Sequence, residues 1–266
     1  MADQLGRVLI IAGSDSGGGA GIQADIKTVT ALGGYAATAV TAITVQNTQG
    51  VTSVHAVPVD MVMAQARAVL DDIGADAIKT GMLGSADLVD AIAGLLADYP
   101  GIPLILDPVM VATSGDVLVA DDAVEAIRMK LLPRASLVTP NAPEAEKLTG
   151  LSVANTDAQA RAGRALVDAG AEAALVKGGH LAGGIITDVL VTAKATTVFE
   201  SPRIDTRNTH GTGCTLASGI ATGVAQGMDL AAAVERAGAY LAEAIRRAPG
   251  FGSGHGPVDH AWVVRD

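Results

Sequence analysis

The sequence predicts an α/β fold in which helices pack on a central, mostly parallel sheet. Short β-branched runs alternate along the chain with longer segments of helical periodicity, a pattern typical of parallel strands joined by crossover helices. Of the 266 residues, 49% are hydrophobic and only 17% are charged, which excludes a disordered chain. No linker, repeat or change in composition divides the chain, so we expect residues 1–266 to form one domain.

The predicted strands are short apolar runs bounded by glycine, proline or polar residues. They are residues 8–12, 37–44, 77–80, 104–107, 136–139, 174–177, 188–192 and 197–200. Apolar residues recur at i, i+4 and i+7 within 22–29 and within 62–69, which predicts a helix in each segment. Ser85 is expected to cap a helix that runs to residue 96, and Asp229 one that runs to residue 247.

Composition argues against several partners. The net charge is −10, and the chain has only 3 tyrosines, 2 phenylalanines and 1 tryptophan. Nucleic acid binding is therefore disfavoured, because both phosphate attraction and base stacking are weak.

The first apolar run, residues 8–12, is too short for a signal peptide or a membrane span. The single cysteine allows no internal disulfide and predicts a cytoplasmic protein.

Ligands of parallel α/β sheets bind at the carboxyl ends of the strands, and residues 13–21 follow the first strand with five glycines in nine positions. Such a loop lets a ligand approach the backbone closely; the alternative is a simple connection. The loop lacks the lysine of a Walker A motif and the third glycine of a dinucleotide fingerprint. The missing fingerprint argues against a dinucleotide-dependent oxidoreductase.

A second glycine-rich segment, residues 209–214, precedes a stretch of small residues with helical character. Backbone amides at a helix N-terminus attract anions, so Gly211, Thr212 and Gly213 form a candidate anion cradle. Cys214 at that place is expected to have a lowered pKa. The alternative is that Cys214 is a small buried hydrophobic residue.

Two further segments complete a set of residues that is typical of phosphoryl-transfer sites. Asn141 and Glu144 follow a predicted strand and are suited to ordering Mg²⁺, although a helix-capping box explains the same spacing. Lys177 ends another strand beside glycines and suits a phosphate group, the alternative being a solvated lysine at a hairpin. Taken together, these segments predict an anion cradle, a cation and a carboxylate-held metal at one edge of the sheet.

Several motifs resemble those of the hydroxymethylpyrimidine/phosphomethylpyrimidine kinases of the ribokinase-like superfamily. They are residues 13–25, 46–51, 79–83, 107–110, 139–145, 177–180 and 208–216. The resemblance extends from residue 8 to residue 262. It implies a ribokinase-like three-layer α/β/α sandwich. It also implies ATP-dependent phosphorylation of 4-amino-5-hydroxymethyl-2-methylpyrimidine to the monophosphate and then to the diphosphate, a reaction of thiamine biosynthesis.

The same resemblance assigns roles around the pyrimidine. Gln46 is expected to read the aminopyrimidine edge, and a side-chain amide has the donor and acceptor that this edge requires. The other residues implied to line the pyrimidine pocket are Gly13, Asp25, Met82 and Val109. Because aromatic residues are scarce, we expect aliphatic side chains, Met82 and backbone to hold the rings, with little stacking.

The resemblance also assigns roles around the phosphates. ATP is implied to bind Lys177, Asn141, Thr212 and Gly213. Mg²⁺ is implied to be held by Asp107 and Glu144, and a monovalent cation such as K⁺ is a further expectation. The anion hole would comprise residues 211–214, with Cys214 beside the substrate hydroxymethyl group. Cys214 is then either the base that accepts the alcohol proton, the role we favour, or a group that completes the anion hole.

Two alternatives stay open at this point. Pyridoxine or pyridoxal kinase activity is the nearest, because both substrates are nitrogen heterocycles that bear a hydroxymethyl group. A non-catalytic nucleotide- or pyrimidine-binding regulator is the alternative of another class, and it predicts the loss of Cys214, Lys177 or Glu144, all of which are present. The resemblance finally suggests a homodimer.

Overall fold

The computed structural model describes residues 5–111, 115–116 and 119–265. The strands in these residues are β1 (Arg7–Ala12), β2 (Tyr35–Val40), β3 (Ala42–Asn47), β4 (Gly50–Ala56), β5 (Ala77–Thr80), β6 (Leu104–Leu106), β7 (Leu137–Val138), β8 (Ala173–Val176), β9 (Ile185–Thr192) and β10 (Thr196–Pro202). The α-helices are α1 (Gly21–Ala31), α2 (Val59–Asp72), α3 (Ala86–Asp98), α4 (Asp121–Ala126), α5 (Ala142–Thr149), α6 (Thr156–Asp168), α7 (Thr212–Ala225) and α8 (Leu230–Arg246).

One sheet organises the molecule. Its eight strands follow the order β10-β9-β8-β7-β6-β5-β1-β2. Pairing is parallel from β2 through β8, and β9 and β10 add an antiparallel edge. The mostly parallel sheet predicted from the alternation of strands and helices is therefore confirmed. The strands β3 and β4 form a separate antiparallel pair.

Helices cover both faces of the sheet. The strand β1 is apolar on each side and is therefore buried on each side. Leu9 and Ile11 pack with residues of α2 to α6 in one buried cluster. Val8, Ile10 and Ala12 pack with α1, α7 and α8 in the other. A strand buried on both faces reads as a continuous apolar run, which is how β1 appears in the sequence. The three-layer α/β/α arrangement is confirmed.

The prediction of one strand over residues 37–44 is wrong. The chain pairs with β1 only as far as Val40, where β2 ends. Thr41 then donates its amide to Ala12 O at 3.0 Å, and Ala42 O accepts from the Ser14 amide at 2.8 Å. The chain leaves the main sheet here because the loop after β1 takes over its backbone hydrogen bonds. It continues as β3, which pairs with β4, a strand that the sequence analysis missed.

The two predicted caps have different outcomes. The Ser85 side chain accepts from the Leu88 amide at 3.3 Å, so the cap of α3 is confirmed. Asp229 precedes α8 as predicted, but its side chain makes no capping hydrogen bond. Among the described helices, none has both the length and the apolar character that crossing a bilayer requires.

Small residues let α7 and α8 approach closely. A Cβ atom added at Gly223 would lie 2.7 Å from the Cβ of Ala233, and one at Gly219 would lie 2.9 Å from that of Ala237. Both distances are too short for a real contact. Since α7 begins at the candidate anion cradle, this packing also sets the position of that cradle relative to the sheet.

We expect Gly223→Ala to lower the free energy of unfolding by about 1–3 kcal/mol, because the added methyl group overpacks the helix interface. Gly94→Ala is the matched control, since a Cβ there meets nothing within 4 Å. That change should raise stability by about 0.5–1 kcal/mol through helix propensity. Urea denaturation measures both. Equal effects of the two changes would contradict the packing argument.

Candidate active site

A cavity of about 810 Å³ opens at the carboxyl ends of the parallel strands. Loops that follow β1, β6, β7 and β8 meet there, as expected for ligand sites of this class of fold. Twelve of the residues predicted as site residues line it. They are Gly13, Gln46, Met82, Asp107, Val109, Asn141, Glu144, Lys177, Gly211, Thr212, Gly213 and Cys214. No Phe, Tyr or Trp is among the described residues that line this cavity.

Gln46 enters the cavity from β3, where a bulge shifts the register between Val45 and Gln46. Its backbone is held on both sides by Ser16. The Ser16 hydroxyl donates to Gln46 O at 2.7 Å, and Ser16 Oγ accepts from the Gln46 amide at 2.8 Å. The glycine loop therefore fixes the backbone from which the Gln46 side chain projects. Its role in reading the pyrimidine stays a prediction.

Gly13 and Met82 are in direct contact in the same part of the cavity. A Cβ atom at Gly13 would lie 2.5 Å from Met82 Cε. Any larger residue at position 13 would therefore push the thioether out of its place. Because the displaced atom is the end of a flexible side chain, the position of Met82 in the cavity depends on the residue at position 13.

Asp25 does not line the cavity. Its carboxylate is fully buried and pairs with Lys79, whose Nζ lies 2.9 Å from each of the two oxygens. Ser218 of α7 donates to the same carboxylate at 2.6 Å. Lys79 itself does line the cavity. Sequence reasoning gave Lys79 no role, although a lysine inside the apolar strand 77–80 already required a buried partner.

The anion cradle forms at the N-terminus of α7. Gly211, which precedes the helix, has φ +81°, and a Cβ there would lie 1.8 Å from Gly19 O. Only glycine fits this left-handed and crowded position. A Cβ at Gly213 would lie 3.4 Å from Lys177 Nζ. The lysine ammonium therefore faces the amides of the first turn, and both attract an anion to the same point.

Asp15 and His210 support this cradle and were not identified from the sequence. Asp15 accepts from the amides of Gly17, Gly19 and Ala20 at 2.8–3.0 Å. His210 Nε2 lies 2.8 Å from the same carboxylate. Burial acts to raise the pKa of Asp15, but the hydrogen bonds from His210 and the amides hold it below its usual range. A charged Asp15 thus joins the glycine loop to the segment that begins α7.

Lys177 and Asp107 form the second buried ion pair of the site. Lys177 Nζ lies 3.1 Å from Asp107 Oδ1, and the lysine side chain is only 13% exposed, so it is not a solvated lysine. Thr139 donates to the same oxygen at 3.0 Å. Asp107 Oδ2 is buried and has no hydrogen-bond partner among the described residues. A buried carboxylate oxygen without a partner is available to a cation.

Glu144 and Asn141 do form a capping box at the start of α5. The Asn141 amide donates to Glu144 Oε2 at 2.8 Å, and Asn141 Oδ1 accepts from the Glu144 amide at 2.9 Å. Burial raises the pKa of Glu144 to about 7, with the Lys177 charge acting against that rise and the Asp107 charge adding to it. The structural explanation of this motif is thus confirmed, and the same carboxylate also lines the cavity.

The donor set suits Mg²⁺ rather than a metal held by protein alone. No group of three or more His, Cys, Asp and Glu side chains that could hold a metal occurs in the described part of the chain. Mg²⁺ is commonly bound by one or two carboxylates together with water and substrate phosphates. Asp107, with its unpartnered oxygen, and Glu144 fit that pattern.

The expectation of a lowered pKa for Cys214 is not supported. Burial raises the pKa of the thiol to about 12, and the nearby carboxylates Asp25 and Asp107 add to the rise. The Lys79 charge acts in the opposite direction without reversing it. The helix N-terminus was expected to dominate, but burial of the thiol outweighs it. Cys214 is accordingly a neutral thiol at pH 7.

A three-layer α/β/α fold with a cavity at the carboxyl ends of its parallel strands is the arrangement of ribokinase-like small-molecule kinases. A family model described as phosphomethylpyrimidine kinase matches residues 15–259. The chain belongs to this family.

Relatives with assigned functions agree with this family membership. A hydroxymethylpyrimidine/phosphomethylpyrimidine kinase of Streptomyces coelicolor is 48% identical over 97% of this chain and 95% of its own length. A thiamine biosynthesis bifunctional protein of Geobacter sulfurreducens is 51% identical over 98% of this chain. The chain spans only 53% of the length of that second protein.

Two solved structures are similar over most of the chain. The ADP complex of Bacillus subtilis pyridoxal kinase has a TM-score of 0.90 at 32% identity, covering 98% of this chain and 100% of that chain. Phosphomethylpyrimidine kinase from Clostridium difficile 630 has a TM-score of 0.81 at 40% identity, covering 90% and 99%. The ribokinase-like fold and the kinase class are therefore shown by both comparisons.

Alkylation with iodoacetamide tests the neutral state of Cys214, which is the sole cysteine of the chain. At pH 8 we expect a rate roughly a thousandfold below that of free cysteine, because only the thiolate reacts. The rate should keep rising with pH up to at least pH 10. Protein unfolded in urea is the control and should react like free cysteine. A plateau below pH 8 would contradict the raised pKa.

Proposed function

We propose that the protein transfers the γ-phosphoryl group of ATP to the hydroxymethyl group of 4-amino-5-hydroxymethyl-2-methylpyrimidine. A second transfer at the same site would convert the monophosphate to the diphosphate. The observation that carries this proposal is the shared cavity. Gln46, Met82, Lys177, Cys214 and the N-terminus of α7 all line one cavity.

On the acceptor side, Gln46 offers an amide to the amino group and ring nitrogen of the pyrimidine. Gly13, Met82 and Val109 supply an apolar wall without aromatic rings. This arrangement favours a small heterocycle held by hydrogen bonds and aliphatic contacts. Asp25 would act from beneath the cavity through its ion pair with Lys79.

On the donor side, Lys177 and the amides of Thr212 and Gly213 would hold the phosphates of ATP, with Asn141 beside them. Asp107 and Glu144 would hold Mg²⁺. When bound, that ion neutralises charge on the transferred phosphoryl group. Lys177 and the positive end of the α7 dipole supply the same kind of stabilisation from the protein itself.

The raised pKa of Cys214 changes the role we favour for it. A thiol that stays protonated at neutral pH is a poor base but can donate a weak hydrogen bond. Phosphoryl transfer has a loose transition state, in which the acceptor oxygen needs little activation before attack. Cys214 would therefore complete the anion hole with Gly211 to Gly213 rather than remove the alcohol proton.

Pyridoxal kinase activity is the second candidate, favoured by the similarity to a pyridoxal kinase structure. The match to the phosphomethylpyrimidine kinase family model favours the pyrimidine substrate instead. A non-catalytic regulator predicts an incomplete site. Cys214, Lys177 and Glu144 all line the cavity, and this supports an enzyme.

Three finer points are part of the proposal. A homodimer is supported by the exposed apolar side chains of the β3–β4 pair, namely Ile43, Val45 and Val54, which are 50–59% exposed. Light scattering should give twice the chain mass. A requirement for K⁺ and a cytoplasmic location stay predictions from the resemblance and from the single cysteine.

A coupled assay of ADP release tests the substrate. We expect turnover of the pyrimidine alcohol and of its monophosphate, with a higher kcat/KM for the alcohol than for pyridoxine, because Gln46 matches the aminopyrimidine edge. The assay is run in K⁺ and in Na⁺ to test the monovalent cation. Absence of turnover with either pyrimidine would refute the proposal, and a large preference for pyridoxine would replace the substrate.

Substitution of Cys214 separates its two roles. For Cys214→Ala we expect kcat to fall by roughly tenfold or less, because a weak anion-hole donor is lost but no base. Cys214→Asp should be slower, since a carboxylate repels the transferred phosphoryl group. Single-turnover kinetics measures both. A loss of more than about a thousandfold in the alanine variant would reinstate Cys214 as the general base.

A further inference from the structure

A fully buried ion pair lies at the cavity, and the roles above assign no function to its lysine. Lys79 and Asp25 both have 0% side-chain exposure, and Lys79 Nζ lies 2.9 Å from each carboxylate oxygen. Removing two charges from water costs free energy that their attraction only partly offsets. A well-packed apolar pair of similar volume is often at least as stable. An electrostatic effect on the cavity therefore accounts for this pair better than stability does.

The two members of the ion pair are placed differently relative to the cavity. Lys79 is among the residues that line it, whereas Asp25 is not. Ser218 donates to Asp25 Oδ1 at 2.6 Å and so holds the carboxylate on the side of α7. Gly81 also lines the cavity, and a Cβ there would lie 3.2 Å from Lys79 Nζ. Gly81 therefore places no side chain between the cavity and the ammonium group, and the lysine end of the pair lies within the cavity wall with no exposed surface.

The ammonium group also has an unused donor. Two of its three N–H groups are directed to Asp25, and no other hydrogen-bond acceptor for Lys79 occurs among the described residues. Burial alone would lower the pKa of Lys79, but the charges of Asp25 and Asp107 hold it above its usual range. Lys79 is therefore a persistent cation in the wall of the cavity that Cys214 also lines, with one N–H that no described residue accepts.

The two transfers make different demands on the acceptor site. The alcohol is neutral, whereas the monophosphate carries about two negative charges at pH 7. In the second transfer an oxygen of that phosphate bonds to the γ-phosphorus as the bond to the ADP oxygen breaks, and ADP leaves. Lys177 lies against Gly213 and Asp107, where the donor phosphates would bind. The acceptor phosphate needs a separate cation.

We propose that Lys79 is the specificity-determining residue for the anionic acceptor and attracts the phosphate of the pyrimidine monophosphate by its charge from within the cavity wall. This inference rests on the proposed function. It assigns Asp25 and Ser218 to positioning the ammonium group. In the first transfer the same cation faces a neutral hydroxymethyl group, so its contribution there is smaller.

The test compares the two acceptors in Lys79→Met/Asp25→Asn, a double variant that keeps volume and leaves no lone buried charge. The ratio of kcat/KM for the monophosphate to that for the alcohol should fall at least ~10-fold. Calorimetric titration without ATP should show the Kd of the monophosphate rising by at least the same factor relative to that of the alcohol. Lys177→Met is the contrast, because loss of the donor-side lysine should slow both transfers and leave the ratio within ~3-fold.

Gly81→Ala provides a second variant that keeps both charges. Its methyl group would lie 3.0 Å from the Cβ of Ala12 and 3.2 Å from Lys79 Nζ. It would thicken the wall between the ammonium group and the cavity and should lower the same ratio. Equal losses for both acceptors in these variants, or an unchanged Kd of the monophosphate, would overturn the role of Lys79. If the wild-type protein does not turn over the monophosphate, the second transfer itself is refuted. The calorimetric titration then still decides whether Lys79 attracts the phosphate.

Discussion

The site depends on one close backbone contact. The glycine loop that follows β1 and the N-terminus of α7 approach until only a glycine fits at position 211, where a Cβ would lie 1.8 Å from Gly19 O. The Asp15–His210 pair holds the two segments together at 2.8 Å. The same loop fixes the backbone of Gln46 through Ser16. A single junction therefore sets the distance between Gln46 and the N-terminus of α7.

Charge is arranged around that junction in two buried ion pairs. Asp107 with Lys177 lies on the side where the nucleotide phosphates would bind, and Asp25 with Lys79 lies beneath the acceptor side. Both lysines are among the residues that line the cavity, so each pair places its cation on the side where phosphate groups would gather. Burial raises the pKa of the Cys214 thiol, and the carboxylates of the two pairs add to that rise, so the thiol stays neutral. At Cys214, the place at a helix N-terminus acts to lower the thiol pKa, whereas the tertiary surroundings raise it.

Sequence patterns predicted well where a single element decides the outcome. The buried strand 77–80 and the cap at Ser85 follow from local composition, and both are present. The strand predicted over 37–44 failed because its apolar run continues while its hydrogen-bond partner changes. The side chains of a segment do not show which other strand its backbone will hydrogen-bond to. Asp15 and His210 were missed for the same reason, since they are 195 positions apart in the sequence.

By itself, the sequence determined the class of fold, the family and most of the residues that line the cavity, because periodicity and short motifs are local properties. The tertiary structure decided what those residues experience. It left Asp25 out of the cavity wall, gave Asp107 an oxygen with no partner among the described residues, and raised the pKa of Cys214. Burial and pairing depend on segments far apart in the chain, and their energies follow from distances that only the folded protein defines.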